Sequence, residues 1–166
     1  MARSKAVKKT RKSIGVDLGG TKILACALDE NNQIVGRKKM PTPASQGADA
    51  VIEASHEAVR TLCTDVQWEL EEIPAIGVAI PAPIDPEEGV VENAANLGWV
   101  DFPAKTALEQ LLKKKIHLEN DVNAGTYGEF MFGAGQGHND IIGIFIGTGI
   151  GGGIILGGNL HRGKNK

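Results

Sequence analysis

The sequence predicts an α/β fold, read in the order βββαβαβα and followed by a fresh hairpin that opens a second copy of the same unit. Three observations predict it. Two glycine-rich turns, Asp17-Leu18-Gly19-Gly20-Thr21-Lys22 and Gly147-Thr148-Gly149-Ile150-Gly151-Gly152-Gly153, each sit between apolar runs of strand length. Between them, helical spacing of apolar residues alternates with short, continuously apolar runs, as when buried parallel strands are joined by helices. A shift of 128 residues lays Ile14-Gly15-Val16-Asp17-Leu18-Gly19 over Ile142-Gly143-Ile144-Phe145-Ile146-Gly147, matching both glycines and most apolar positions.

In chain order, residues 13–28 read as two strands meeting at the first glycine turn. Glu30-Asn31-Asn32-Gln33 turns into a third strand at 34–39, completing an antiparallel meander before Pro41 and Pro43 break the pattern. From 47 to 66, Val51, Ala54, Ala58, Val59, Leu62 and Val66 recur at helical spacing with Glu53, Glu57 and Arg60 on the other face, which predicts an amphipathic helix. Residues 75–80 read as a buried strand. Pro81-Ala82-Pro83-Ile84-Asp85-Pro86 cannot continue a central strand, because three prolines remove three backbone donors. It reads as a loop leaving the strand's C-terminal end, the edge at which ligands sit in open α/β sheets. A short strand at 89–92, a polar loop at 93–98 and Trp99 follow. Pro103 opens a helix striped by Ala104, Ala107, Leu108, Leu111 and Leu112, with Lys113, Lys114 and Lys115 expected in its last turn against the macrodipole. Residues 116–119 read as a strand and 122–132 as a helix despite Gly125 and Gly128, with Asn120-Asp121 at their junction.

Composition bounds what this fold can do. At 166 residues, 42% hydrophobic and 23% charged, the chain buries a core of about one domain. A net charge of −2 supplies no bulk field for nucleic acid. Residues 1–13 form a basic tail with Arg3, Lys5, Lys8, Lys9, Arg11 and Lys12, read as a solvated flexible segment, with contact to an acidic partner as the alternative. The tail lacks the apolar stretch of a secretion signal, and no run of about 18 apolar residues suggests a membrane span. Cys26 and Cys63 lie far apart without histidine neighbours and read as buried thiols of a cytoplasmic protein. Residues 14–138 form the expected first lobe and 139–166 the start of a second, too short for a core of its own.

Two equivalent hairpin tips offering backbone N–H groups, a hydroxyl and an ammonium suggest a nucleotide clamped between two lobes. Asp17 through Lys22, Glu119-Asn120-Asp121-Val122-Asn123-Ala124 and the second glycine turn together resemble the ROK family of bacterial sugar kinases, within the actin/hexokinase/Hsp70 superfamily. Asn96-Leu97-Gly98-Trp99 and Gly77-Val78-Ala79-Ile80-Pro81 sit where that family has similar segments. The resemblance implies the ribonuclease H-like βββαβαβα lobe of an actin-like ATPase, with only the first hairpin of the second lobe present. It also implies ATP-dependent phosphorylation of a hexose hydroxyl, with glucose the default substrate. Asp121 would be the general base, and a carboxylate at a helix N-terminus is stabilised as the anion. Asn120, Asn96 and Ala82 would touch the sugar. Gly19, Gly20, Thr21 and Lys22, with Gly147, Thr148 and Gly149, would approach the ATP phosphates, and Asp17 would organise Mg²⁺ through water. The resemblance further implies a homo-oligomer, dimer or tetramer, acting on small molecules and not on nucleic acid or membrane.

Simpler roles compete at each position. Asp121 could be a plain helix cap, the glycines plain turns, Asn96 a turn residue and Trp99 a core anchor in place of a sugar-stacking platform. His56, His117, His138 and His161 read as surface or packing residues. A buried unpaired Asp17 is costly, which favours a functional role. The family usually carries, after the second turn, a Glu and a His that contact sugar, often a Cys-rich structural zinc site, and an adenine-binding segment. The chain ends at Lys166 before these, so it is expected to have little kinase activity alone and to associate through its uncovered apolar face. Pro81-Ala82-Pro83 replaces the more usual Pro-Gly-Pro, which would narrow the sugar site. The alternatives are a sugar-sensing repressor of the same family lacking its DNA-binding segment, an N-acylhexosamine kinase, and a chaperone or filament protein of the superfamily.

Overall fold

A computed structural model describes residues 12–147 and 149–163. The expected basic tail lies outside the described residues up to position 11. Lys12, at its end, is docked: its ammonium pairs with Glu72 at 2.8 Å and lies 4.9 Å from the centre of the Trp68 ring.

The meander is β1 (Ser13–Leu18), β2 (Lys22–Leu28) and β3 (Ile34–Pro41), each antiparallel to the last. β3 runs two residues past its expected end. Pro41 is tolerated there because β3 is the edge of the sheet, opposite Lys22. Helix α1 (Ala48–Asp65) returns the chain to β4 (Ala75–Ile80), which pairs parallel with β1. Helix α2 (Ala104–Leu112) does the same for β8 (Lys115–Asn120), parallel to β4, and α3 (Asp121–Phe132) follows directly. The resulting five-stranded order is β3-β2-β1-β4-β8.

Alternation decides what the sheet buries. Ile14, Val16 and Leu18 of β1, Ile76, Val78 and Ile80 of β4, and Ile116 and Leu118 of β8 all point to one face and are at most 5% exposed. They meet Val51, Ala58 and Leu62 of α1 and Leu108 and Leu112 of α2. Each such aliphatic side chain contributes about 1.5–3 kcal/mol by leaving water. The residues between them, including Asp17 and Glu119, face the other way.

Three expectations need correction. The proline-rich segment does leave the main sheet, but Ile84–Asp85 is a two-residue strand, β5, in a second sheet with β6 (Val90–Ala94) and β7 (Trp99–Phe102). β6 therefore takes two residues from the expected polar loop, and β7 takes Trp99. The lysines do not lie in the last turn of α2. Lys113 follows that helix in the left-handed region (φ 53°), and Lys115 is already in β8 opposite Ala75, because pairing with β4 outcompetes another helical turn. Finally, α3 is capped by Asn120, whose side-chain oxygen accepts from the backbone N–H of Val122 and Asn123, so Asp121 is the first helical residue and not the cap.

The sequence repeat is also a repeat of strand bounds. β9 (Ile141–Ile146) and β10 (Ile150–Leu156) lie 128 positions beyond β1 and β2 at both ends, and β11 (Asn159–Leu160) completes a third sheet. The register differs by one residue, Leu18 facing Ile23 in the first hairpin and Ile146 facing Ile150 in the second. One face of this hairpin packs on α3: a Cβ at Gly143 or Gly153 would lie 2.3 Å from the Thr126 hydroxyl, and one at Gly151 would lie 2.7 Å from Val122. The opposite face leaves Ile142, Ile144, Ile146 and Ile150 about 70–80% exposed.

Candidate active site

The parallel register places the chemistry. Asp17 lies beside Ala79 and Ala79 beside Glu119, so the two acids share the open face of the sheet two strands apart, about 10 Å. One residue beyond Glu119, Asn120 ends β8 and turns the chain into α3, bringing Asp121 to the sheet's C-terminal edge.

An open cleft of about 1100 Å³ lies at this edge, between the ends of β4 and β8 on one side and the second hairpin on the other. It gathers Ala82, Asn96, Asn120 and Asp121 with Gly147 and Gly149. Asp17 lies outside it, lining a neighbouring cavity of about 860 Å³ on the open face, which shares Glu119 with the cleft. Gly19, Gly20, Thr21 and Lys22 line neither of these two cavities. Thr148 falls outside the described residues.

Each candidate has a definite setting. The Asp121 carboxylate accepts from the Val122 N–H at 2.9 Å. The Asn120 side chain caps α3 through its oxygen and donates from Nδ2 to the Ala82 carbonyl at 3.2 Å, which leaves one amide hydrogen for a ligand. Ala82 is itself buried, 4% exposed, so it shapes the cleft wall more than it presents a surface. Asn96 is exposed on the turn before β7 and touches the first glycine turn: a Cβ on Gly20 would lie 2.6 Å from the Asn96 Cβ. The far side of that turn is braced by Thr42, whose hydroxyl donates to the Gly19 carbonyl at 2.6 Å and whose N–H donates to the Thr21 carbonyl at 3.0 Å. Thr21 and Lys22 stand exposed at the tip.

Burial pushes the Asp17 carboxyl up from its ordinary value; the Lys22 ammonium pulls it down and the Asp121 carboxylate pushes it up again. A desolvated carboxylate next to a second one suits a hard divalent cation such as Mg²⁺, which takes one or two carboxylates and leaves its other positions to water and phosphate. Among the described residues no three acidic, histidine or cysteine side chains converge into a complete metal cage.

The glycines of the second turn fall into two kinds once a Cβ is imagined on each. Gly147 and Gly149 have nothing within 4 Å, so their bare backbone faces open cleft, whereas Gly151 and Gly153 are needed by helix packing. Trp99 is 2% exposed and stacks on Phe102 at 4.4 Å, the core-anchor role. His161 is exposed and lines the cleft. Sequence reasoning gave no role to three residues. Thr42 lies between two prolines, Arg162 lies in the terminal stretch, and Glu119 enters only as the first residue of a motif that carries the family resemblance, with no role of its own. Glu119 accepts from the Asn120 N–H at 2.9 Å and the Asn123 side-chain amide at 3.2 Å, and its second oxygen pairs with Arg162.

The ROK family model matches residues 13–165. The chain is 38% identical over 151 residues to a glucokinase of Streptomyces coelicolor, covering 91% of this chain and 45% of that protein. It is 31% identical over 159 residues to the xylose repressor of Bacillus subtilis, covering 94% of this chain and 40% of that one. Among solved structures, a ROK family glucokinase from Streptomyces griseus, in complex with glucose and AMPPNP, superposes with a TM-score of 0.82 at 39% identity, covering 92% of this chain and 47% of that one. The chain thus spans less than half the length of these relatives.

Proposed function

Because the chain belongs to the ROK family, we propose that the whole protein transfers the γ-phosphoryl group of ATP to a hexose hydroxyl, glucose being the first candidate. The observation that carries this reading is the convergence in one cleft of Asp121 and Asn120 with the Ala82 and Asn96 loops, facing the bare backbone of Gly147 and Gly149. A sugar seated on the loops offers a hydroxyl to the Asp121 carboxylate. As that oxygen bonds to the γ-phosphorus, the bond from phosphorus to the β,γ-bridging oxygen breaks, the hydroxyl proton passes to Asp121 and ADP leaves. Placement of the reactants is the main contribution here, since phosphoryl transfer asks little covalent chemistry of a protein.

Gly20, Thr21 and Lys22 from the first turn, and Gly149 from the second, would approach the phosphates. Asp17 would hold Mg²⁺, which would supply positive charge against the phosphates. The chain spans less than half the length of the glucokinase relatives it matches, and by itself it is expected to turn over poorly. The whole protein is read as a cytoplasmic dimer or tetramer.

The likeness to a xylose repressor favours a second reading, in which the same loops sense a sugar without turning it over. ADP release by the whole protein, with ATP, Mg²⁺ and a panel of glucose, fructose, mannose, N-acetylglucosamine and N-acetylmannosamine, separates the readings. Sugar-dependent release supports the kinase and names its substrate. Sugar binding without release supports the sensor.

A further inference from the structure

Arg162 and Glu119 are 43 residues apart in sequence, one just past the end of β11 and the other on β8, and meet in the cleft wall. One carboxylate joins three segments there. Its first oxygen holds the Asn120 N–H and the Asn123 side-chain amide, and so the last residue of β8 and the first turn of α3. Its second holds the Arg162 guanidinium, two residues after β11. Asn120 in turn ties this junction to the Ala82 carbonyl. Asp121 sits between the two anchored residues, Asn120 and Asn123.

Fold stability does not account for the pair. Its side chains are 37% and 24% exposed, a setting in which an ion pair contributes little to folding, and α3 already has its cap in Asn120. The hairpin it tethers carries Gly147 and Gly149. From these contacts we infer that Glu119 and Arg162 are a positioning pair: Arg162, held by Glu119, sets the second glycine turn at a fixed distance from Asp121. Neither is a catalytic residue, since each acts through the groups it holds. The inference rests on the kinase reading for its effect on rate, and on geometry alone for its effect on order.

Two measurements test it. In the whole protein, with the best hexose of the panel, Glu119→Gln and Arg162→Ala each lower kcat at least tenfold while the hexose KM stays within about twofold, and Arg162→Lys recovers most of the loss. The double variant is no slower than the worse single one, because both remove the same tether. Variants that melt with the wild type yet keep full kcat, or losses that multiply in the double variant, overturn the inference. A wild type without sugar-dependent ADP release overturns the kinase reading instead, and then amide hydrogen exchange on the 166-residue chain decides about the pair. Arg162→Ala is expected to speed exchange of the Asn120 backbone amide, which donates to Glu119, at least tenfold without changing exchange in β4. An unchanged rate at that amide refutes the tether whatever the activity.

Discussion

Replacing Gly20 by alanine tests whether the first glycine turn is shaped by its ligand or by its neighbour. The added Cβ would stand 2.6 Å from the Asn96 Cβ and 3.0 Å from the Asn96 carbonyl oxygen, against a normal carbon–carbon contact of about 3.5–4.0 Å, so roughly 1 Å of movement is required. Little can move. On one side Thr42 holds the carbonyls of Gly19 and Thr21, and on the other Asn96 precedes Leu97, which is 1% exposed. Overpacking of this kind costs about 1–3 kcal/mol. Gly149→Ala is the control, since nothing lies within 4 Å of its Cβ and its backbone is not in the left-handed region. In urea unfolding of this chain, Gly20→Ala should lose about 1–3 kcal/mol and Gly149→Ala less than about 0.5 kcal/mol. In the whole protein Gly149→Ala should nevertheless weaken ATP binding, because its open space is then ligand space. Equal stability of Gly20→Ala and the wild type, or equal destabilisation by both variants, would refute the reasoning.

Asp17→Asn should stabilise the chain at neutral pH while weakening Mg²⁺-dependent ATP binding by the whole protein. The sign follows from the raised folded-state pKa: the native state keeps the Asp17 proton to higher pH than the unfolded chain does, so this group lowers stability as pH rises from the ordinary to the raised value. Melting temperatures of the two proteins should therefore diverge above that window and converge below it; a variant that melts lower at pH 7 contradicts the assignment. Lys113→Gly relieves a left-handed backbone at an exposed helix end and should add up to about 1 kcal/mol in urea unfolding, and a loss would show that the lysine side chain is needed there. Thr42→Ala removes one brace of the first turn and should raise the KM for ATP in the whole protein more than that for sugar; the reverse order would place Thr42 with the sugar site.

The parts of this structure legible in the sequence are those with a strong local period. The spacing of Val51, Ala58, Val59 and Leu62 marks α1 to within a residue at each end, and the self-match around Ile14 and Ile142 locates β9, whereas β10 begins at Ile150, inside the stretch that reads as a glycine turn. Short pairings were harder. β5 has two residues and β7 four, too few for alternation to show, and both exist because Val91 and its neighbours supply a partner. Asn120 and Asp121 are adjacent and both suit an N-cap, and only the backbone decides that Asn120 takes the role. The glycines around 147–153 look alike in sequence, yet packing on Thr126 and Val122 claims two of them and leaves Gly147 and Gly149 to the cleft. Glu119 and Arg162 carry no local signal of their contact, since it depends on how the third sheet sits against α3.

The central claim is that Asp121 takes the proton from a sugar hydroxyl, and Asp121→Asn in the whole protein tests it most directly. Sugar-dependent ADP release and sugar affinity, measured on the same preparation, should part company. Turnover is expected to fall by about 10²–10⁴-fold, the usual contribution of a positioned base, with the sugar dissociation constant within a few-fold of wild type. An Asp121→Asn protein that binds sugar normally and releases ADP at the wild-type rate would contradict the account.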